Sequence, residues 1–278
     1  MTTEAARRNV TTTRVVALRD GRVRERTDEL TGEEPLEIRA AGPGQTPVRV
    51  AVTMRTPGHD FELSAGFLIT EGLVRPDAVE GVTYCEDPDT QRYNIVTVRT
   101  RTPFDLGTAE RNFFATSSCG ICGKGALEAI AVRCAPLGPG PTICSDVLLA
   151  MPDVLREHQR VFDRTGGLHA AGLFDTDGAL RLLREDVGRH NAVDKVVGAM
   201  ALGTGSDGAV LLVSGRLSFE IVQKAAVARI PIICAISAPS SLAVQAAGDL
   251  GLTAVGFLRP DGFNIYSHPD RVRIEVAG

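Results

Sequence analysis

Residues 116–124, Thr-Ser-Ser-Cys-Gly-Ile-Cys-Gly-Lys, carry the plainest chemistry in the chain and run into a predicted helix. A Cys-x-x-Cys pair has three chemical uses. A zinc or iron–sulfur site needs further ligands, yet no second Cys-x-x-Cys occurs, and Cys134 and Cys144 are too loosely spaced for a zinc ribbon. A thioredoxin-like redox pair would follow an early strand in a different βαβ setting. The third use is a sulfur carrier or nucleophile. Cys119 and Cys122 lie before or within a first helical turn, where the helix dipole and Lys124 favour thiolate. The flanking glycines suit a loop that reaches two partners. Two small residues in a glycine turn are the structural alternative, and the spacing alone leaves these readings open.

A second place for chemistry is set by topology. The segments AVLLVSG, IPIICAIS and LTAVGFLR read as strands, with helices SFEIVQKAAVA and SLAVQAAGDLG between them. This βαβαβ spacing predicts right-handed crossovers and a parallel sheet covered on both faces. Ligands of such sheets bind beyond the carboxyl ends of the strands. The residues leaving those ends are Ser214-Gly215-Arg216, Ser237 to Ser241 (including Ser240), and Phe257-Leu258-Arg259-Pro260-Asp261-Gly262. Hydroxyls, helix N-termini and the Arg216 and Arg259 forks would suit phosphate, although Gly, Ser, Pro and Asp are also ordinary turn residues.

The run Arg184-Glu185-Asp186-Val187-Gly188-Arg189-His190-Asn191-Ala192-Val193-Asp194-Lys195 is densely polar. It reads either as a solvated helix start or as a pocket in which Arg189, His190 and Lys195 meet an anion. His190 and Asp194 share a helical face, and Glu220 and Lys224 have the i,i+4 spacing of a helix-supporting ion pair. His169 after Gly166-Gly167-Leu168, and His59 before a predicted helix, suit either a site or a structural hydrogen bond. Gly203 to Gly208 matches G-x-G-x-x-G, but it follows a helix and precedes a strand, the reverse of a dinucleotide fingerprint. There is no P-loop, and the His-x-Glu and Pro-Cys-x-x-Cys signature of zinc deaminases is missing.

The elements that must position these groups divide at about residue 110. Residues 1–110 read as a β-rich N-terminal domain with strands TRVVALRD, PLEIRA, PVRVAVTMR, GVTYCE and YNIVTVRT and one helix, DFELSAGFLITEGL. Residues 111–278 read as an α/β core that carries the thiol loop and the strand-exit crevice. Its helices are GKGALEAIAVR, SDVLLAMPDVLREHQRVFDR and HNAVDKVVGAMALG, and strands LHAAGLFD and ALRLLRED precede the last of these. The 278 residues suffice for a substantial core. A formal charge of −4 gives no basic field for nucleic acid. No apolar run approaches a membrane span, and the start has two arginines without an apolar h-region, so a cytoplasmic protein with reduced thiols is expected. Lys124, Lys195 and Lys224 are the only lysines among 30 basic residues.

Together the blocks from Met54-Arg55-Thr56-Pro57-Gly58-His59-Asp60 through the thiol loop, Gly166 to His169, REDVGRHNAVDK, SGRLSFEIVQKA, SAPSSLAV and GFLRPDGFNIY resemble, in order, the formate dehydrogenase accessory sulfurtransferases, the FdhD family. The resemblance runs from about residue 50 to 268. It implies a three-layer α/β/α core resembling the cytidine-deaminase fold without its zinc motif, and a homodimer. It further implies that sulfane sulfur is accepted from an L-cysteine desulfurase as a persulfide. The sulfur passes to the molybdenum bis(molybdopterin guanine dinucleotide) cofactor, a bound substrate rather than a resident metal site, for the client formate dehydrogenase. By the resemblance Cys119 carries the persulfide, Cys122 assists, and Phe257 to Gly262 bind the cofactor; Ser214, Gly215, Arg216, Ser240, His190 and Lys195 are the further expected contacts. Two alternatives remain at this stage: a non-catalytic cofactor carrier, and a disulfide oxidoreductase working through Cys119 and Cys122.

Overall fold

The computed structural model of the chain describes residues 9–85, 94–105, 134–204 and 208–274. Cys119, Cys122, Lys124 and the helix expected after them lie outside the described residues.

The first element is a ribbon in which β1 (Val10–Arg19) pairs antiparallel with β2 (Arg22–Thr31) about Asp20 and Gly21, both at positive φ. Asp-Gly is well suited to this turn, because a type I′ hairpin needs positive φ at both central positions. β2 escapes the sequence reading because RVRERTDELT is exposed over most of its length and so has no apolar alternation to reveal it.

The next strands, β3 (Glu34–Ala41), β4 (Val48–Arg55), β5 (Val79–Tyr84) and β6 (Ile95–Thr100), form a four-stranded sheet in the order β4-β3-β6-β5. Leu36, Ile38 and Ala40 point inward at every second position, as a half-buried strand requires. They share one core with Val96, Val98 and Leu63, Leu68 and Ile69 of α1 (Asp60–Thr70).

A two-residue strand, β7 (Ile143–Cys144), leads into α2 (Ser145–His158). The sequence predicts one helix across residues 145–164; two form instead. The chain breaks at Gln159 (φ −79°, ψ 67°), and α3 (Arg160–Thr165) begins there. Glu185 captures the free N–H groups of the new helix, accepting from Val161 at 3.1 Å and Phe162 at 2.9 Å. Gly166, at φ 65°, ends it.

The central sheet contains β8 (His169–Phe174), β9 (Leu180–Asp186), β10 (Val210–Val213), β11 (Ile232–Ala235), β12 (Thr253–Arg259) and β13 (Gly262–Ser267), in the order β13-β12-β11-β10-β8-β9. β10, β11 and β12 are parallel, joined through α5 (Phe219–Val227) and α6 (Ser241–Asp249) as the spacing predicts. The remaining strands are not part of that parallel unit. β8, β9 and β13 enter antiparallel, because the short connections β8–β9 and β12–β13 can join only antiparallel neighbours. A last strand, β14 (Val272–Arg273), pairs parallel with β7.

Helices cover both faces of this sheet. Val210, Leu212, Ile232, Cys234 and Val255 meet Leu148, Met151 and Leu155 of α2 on one face. Leu211, Val213, Ile233, Ala235 and Ala254 face the side of α4 (Arg189–Ala201), α5 and α6. α1 lies against α4, so the same core runs on into the four-stranded sheet. Burial pushes the Cys234 thiol up, leaving it a core residue without thiolate character.

Candidate functional site

The polar run 184–195 crosses from the end of β9 into the start of α4, and most of it is engaged in joining elements. Arg184 grips Glu62 of α1, with Nη2 2.7 Å from Oε1. Asp186, fully buried, accepts from Gly188 N at 2.8 Å, Asn191 Nδ2 at 2.9 Å and Thr56 N at 3.2 Å, and meets Lys195 Nζ at 2.7 Å. Asp194 accepts from Thr70 at 2.7 Å and pairs with Lys224 at 2.9 Å. Burial pushes its carboxyl above the usual carboxylate range against the pull of Lys224.

These contacts correct two expectations. Lys195 does not face a ligand: it is 1% exposed, and its ammonium meets Asp186, Thr56 O at 3.0 Å and Glu185 O at 3.3 Å, which uses all three donors. Lys224 does not pair with Glu220. It reaches inward to Asp194, to Glu71 at 3.0 Å and to Thr70 at 2.9 Å, tying α5 to α4 and α1. Both sites offer three acceptors around a point, a geometry an ammonium fills and a planar guanidinium does not.

Arg189 and His190 are the members of the run left over. Nε of Arg189 and Nε2 of His190 are buried without a hydrogen-bond partner. His190 stands 3.8 Å from Glu220 Oε2, and burial, with the charges of Arg189 and Lys224, lowers its imidazole to about 4. Burial raises Glu220, but its own N–H and the nearby Ser218 hydroxyl, His190 and Arg189 bring it below its ordinary value. Arg189 lies beside the end of β10. A Cβ built on Gly215 would sit 3.8 Å from Arg189 Cδ and 3.5 Å from His169 Nδ1, so the missing side chain leaves a gap between the two. His169 is held below its usual value by burial and by Arg189, with Asp186 opposing.

Ser214 is anchored to β8, its N donating to Ala170 O at 3.0 Å and its Oγ accepting from Ala170 N at 2.9 Å. The β10 and β11 exits are stitched together: Leu217 N donates to Ala238 O, and Ser240 N to Leu217 O. Arg216 is exposed there. The Ser240 hydroxyl caps α6 by accepting from Ala243 N at 3.2 Å.

The β12 exit turns directly into β13. Phe257 to Gly262 form the end of the strand and a tight turn, with Arg259 opposite Gly262 across Pro260-Asp261. Phe257 (φ 54°) is 40% exposed, and Arg259, Pro260 and Asp261 are exposed. Leu258 is fully buried in the α2-side core, so its side chain cannot contact a ligand.

One feature escapes the sequence reading. A cavity of about 600 Å³ opens between the α2–α3 break and the β10 exit, lined by Leu155, Gln159, Phe162, Leu168, His169 and Ser214 among others. The glycines of Gly166-Gly167-Leu168-His169 are its only sequence signal, since the helix break that shapes it depends on Glu185. Among the described residues no group of three or more His, Cys, Asp or Glu could hold a metal ion, and no helix is long and apolar enough to cross a membrane.

A three-layer α/β molecule with a crevice at the exits of its parallel strands is of the ligand-binding α/β class. The family model described as the FdhD/NarQ family matches residues 31–273, and the chain belongs to that family. It is 49% identical over 277 residues to the "Sulfur carrier protein FdhD" of Streptomyces coelicolor, covering 95% of this chain and 96% of that one. The protein of the same name from Thermoplasma acidophilum is 44% identical over 265 residues, with 94% and 93% covered. A Desulfotalea psychrophila crystal structure, described as a formate dehydrogenase accessory protein, superposes with a TM-score of 0.75 at 26% identity, covering 96% of this chain and all of that one.

Proposed function

We propose that the protein is a sulfur carrier and sulfurtransferase that serves formate dehydrogenase. The observation that carries this reading is its 49% identity, over almost its whole length, to proteins named sulfur carrier protein FdhD. Cys119 is the acceptor. Its thiolate attacks the outer sulfur of a persulfide on an L-cysteine desulfurase; a new S–S bond forms at Cys119 and the donor cysteine leaves as thiolate. Handing that sulfur on as sulfide needs two electrons, and Cys122 can supply them by closing a disulfide with Cys119. The acceptor is the molybdenum bis(molybdopterin guanine dinucleotide) cofactor, bound as a substrate. Gly215, Arg216 and the half-buried Arg189 and His190, gathered at the strand exits, support an anionic ligand in that crevice. The three-layer core is read as cytidine-deaminase-like, and the working form as a cytoplasmic homodimer.

Incubation with desulfurase and L-cysteine, followed by peptide mass spectrometry, tests the acceptor. The mass of one sulfur atom is expected on the Cys119 peptide. A Cys119→Ala protein that still gains the mass and still activates formate dehydrogenase overturns the assignment.

A further inference from the structure

The ribbon of β1 and β2 is tied to α3 at its base, where Thr31 Oγ1 donates to Thr165 Oγ1 at 2.8 Å and Arg164 Nη2 meets Glu29 at 2.6 Å. Its outer half, residues 14–26, is exposed apart from the half-buried Val15 and Ala17. Residues opposite each other in an antiparallel pair share a face. The register Arg19↔Arg22, Ala17↔Arg24 and Val15↔Arg26 therefore gathers four guanidinium groups on one face. They line a concavity of about 510 Å³ with Ala17. Of the four, only Arg26 makes an ion pair among the described residues, with Asp28 at 3.2 Å. Like charges directly opposite each other destabilise a ladder, and a two-stranded ribbon is marginal to begin with. An anionic surface laid on this face would relieve that repulsion.

We infer that the arginine face of the ribbon docks an acidic patch on the client enzyme, formate dehydrogenase; the inference rests on the proposed function for that client. The ribbon's base and the cavity at the β10 exit share one segment. A Cβ built on Gly167 would sit 2.9 Å from Thr31 Oγ1, and Gly166, Gly167 and His169 line the cavity. A protein seated on the ribbon thus stands beside the crevice from which the cofactor is handed over. The ribbon's chemistry favours a protein over nucleic acid. Asp20 and Glu25 line the same concavity and would repel a continuous phosphate backbone. The reverse face exposes Val16, Leu18 and Val23 at 70%, 70% and 68%, which a protein surface can cover and phosphates cannot. Guanidinium forks bind carboxylates bidentately.

Surface plasmon resonance between the full-length protein and formate dehydrogenase purified without its cofactor tests the docking face. Wild-type affinity is expected to fall as salt rises. The triple variant Arg19→Gln, Arg22→Gln, Arg24→Gln is expected to bind about tenfold more weakly, mainly through slower association. Its melting temperature is expected to hold or rise, because like charges are removed. Its sulfur loading by desulfurase and L-cysteine is expected to match the wild type, which separates the client from the sulfur donor. Unchanged affinity in the triple variant, or binding indifferent to salt, overturns the docking face. Lost sulfur loading overturns it in favour of the desulfurase, and an altered sedimentation coefficient in favour of a second copy of the chain. Tighter binding of a duplex DNA oligonucleotide than of the enzyme also overturns it. A wild-type protein that loads sulfur but does not bind formate dehydrogenase overturns the client reading together with the docking face.

Discussion

A Cβ added to Gly66 of α1 would fall 1.8 Å from the carbonyl oxygen of Asp194 in α4, and one added to Gly198 of α4 would fall 1.8 Å from the carbonyl oxygen of Glu62. The two helices therefore touch backbone to backbone through reciprocal glycines. This contact locks the N-terminal sheet and its helix to the central sheet, and it places Asp194 where Thr70 and Lys224 can reach it. Gly66→Ala or Gly198→Ala must push the helices apart, and a loss of about 3 kcal/mol or more is expected in urea unfolding. Gly248→Ala, in α6 with open space around it, is expected to stabilise by about 0.5–1 kcal/mol. Equal effects at all three positions would contradict the packing account.

Lys195 and Asp186 form an ion pair whose members are 1% and 0% exposed. Lys195→Met leaves a buried carboxylate without its partner, and a loss of about 3–5 kcal/mol is expected. Lys195→Arg is expected to destabilise as well, by about 1–3 kcal/mol, because the larger planar group does not fit three convergent acceptors. Chemical denaturation at neutral pH checks both, and a neutral Lys195→Arg would attribute the lysine to codon usage rather than to geometry.

His190, pushed from 6.5 to about 4 by burial and by Arg189 and Lys224, makes stability depend on pH. The unfolded chain binds the proton first, so between pH 6.5 and 4 the unfolded state holds more protons than the native one. The stability associated with a neutral His190 is intact above that window and is lost as pH falls through it. Thermal melts from pH 7.5 to 4 are expected to show a shallower decline for His190→Gln than for the wild type. Parallel curves would refute the buried, neutral imidazole.

Glu62 adds to the loss of stability in acid, in a lower pH window. Burial alone would raise it, but Arg184 and His59 hold it at about 2 against 4.5 in an unfolded chain. Its contribution is present above pH 4.5 and is lost as pH falls toward 2. Glu62→Gln is expected to lower stability at pH 7 and to flatten the acid limb of the unfolding curve below pH 4.5.

Leu258 lies inside the segment that the family resemblance assigns to cofactor binding, yet it is fully buried among Val255, Ile232 and their α2-side neighbours. Leu258→Ala is expected to cost about 2–5 kcal/mol of stability. Arg259→Ala, next to it and exposed, is expected to change stability by less than about 0.5 kcal/mol. Equal melting temperatures for the two would place Leu258 outside the core.

The sequence by itself determined the β10-α5-β11-α6-β12 unit, the strands β3 to β6 and the helix α1. Apolar periodicity and turn residues are local, and they are read within a few positions of each other. It also carried the thiol loop and the ordered family blocks, since both are matters of residue type and spacing. Tertiary structure decided what the polar residues do. Lys195 and Lys224 look alike in sequence to surface lysines, and only the return of Thr56, Glu71 and Thr70 from distant segments surrounds them with acceptors. The break at Gln159 is decided in the same way, by Glu185 reaching across from β9 to cap a helix that local propensity would continue. Long-range hydrogen bonds override local preference at these points, because an unanswered buried polar group costs more than the few tenths of a kcal/mol that helix propensity supplies per residue.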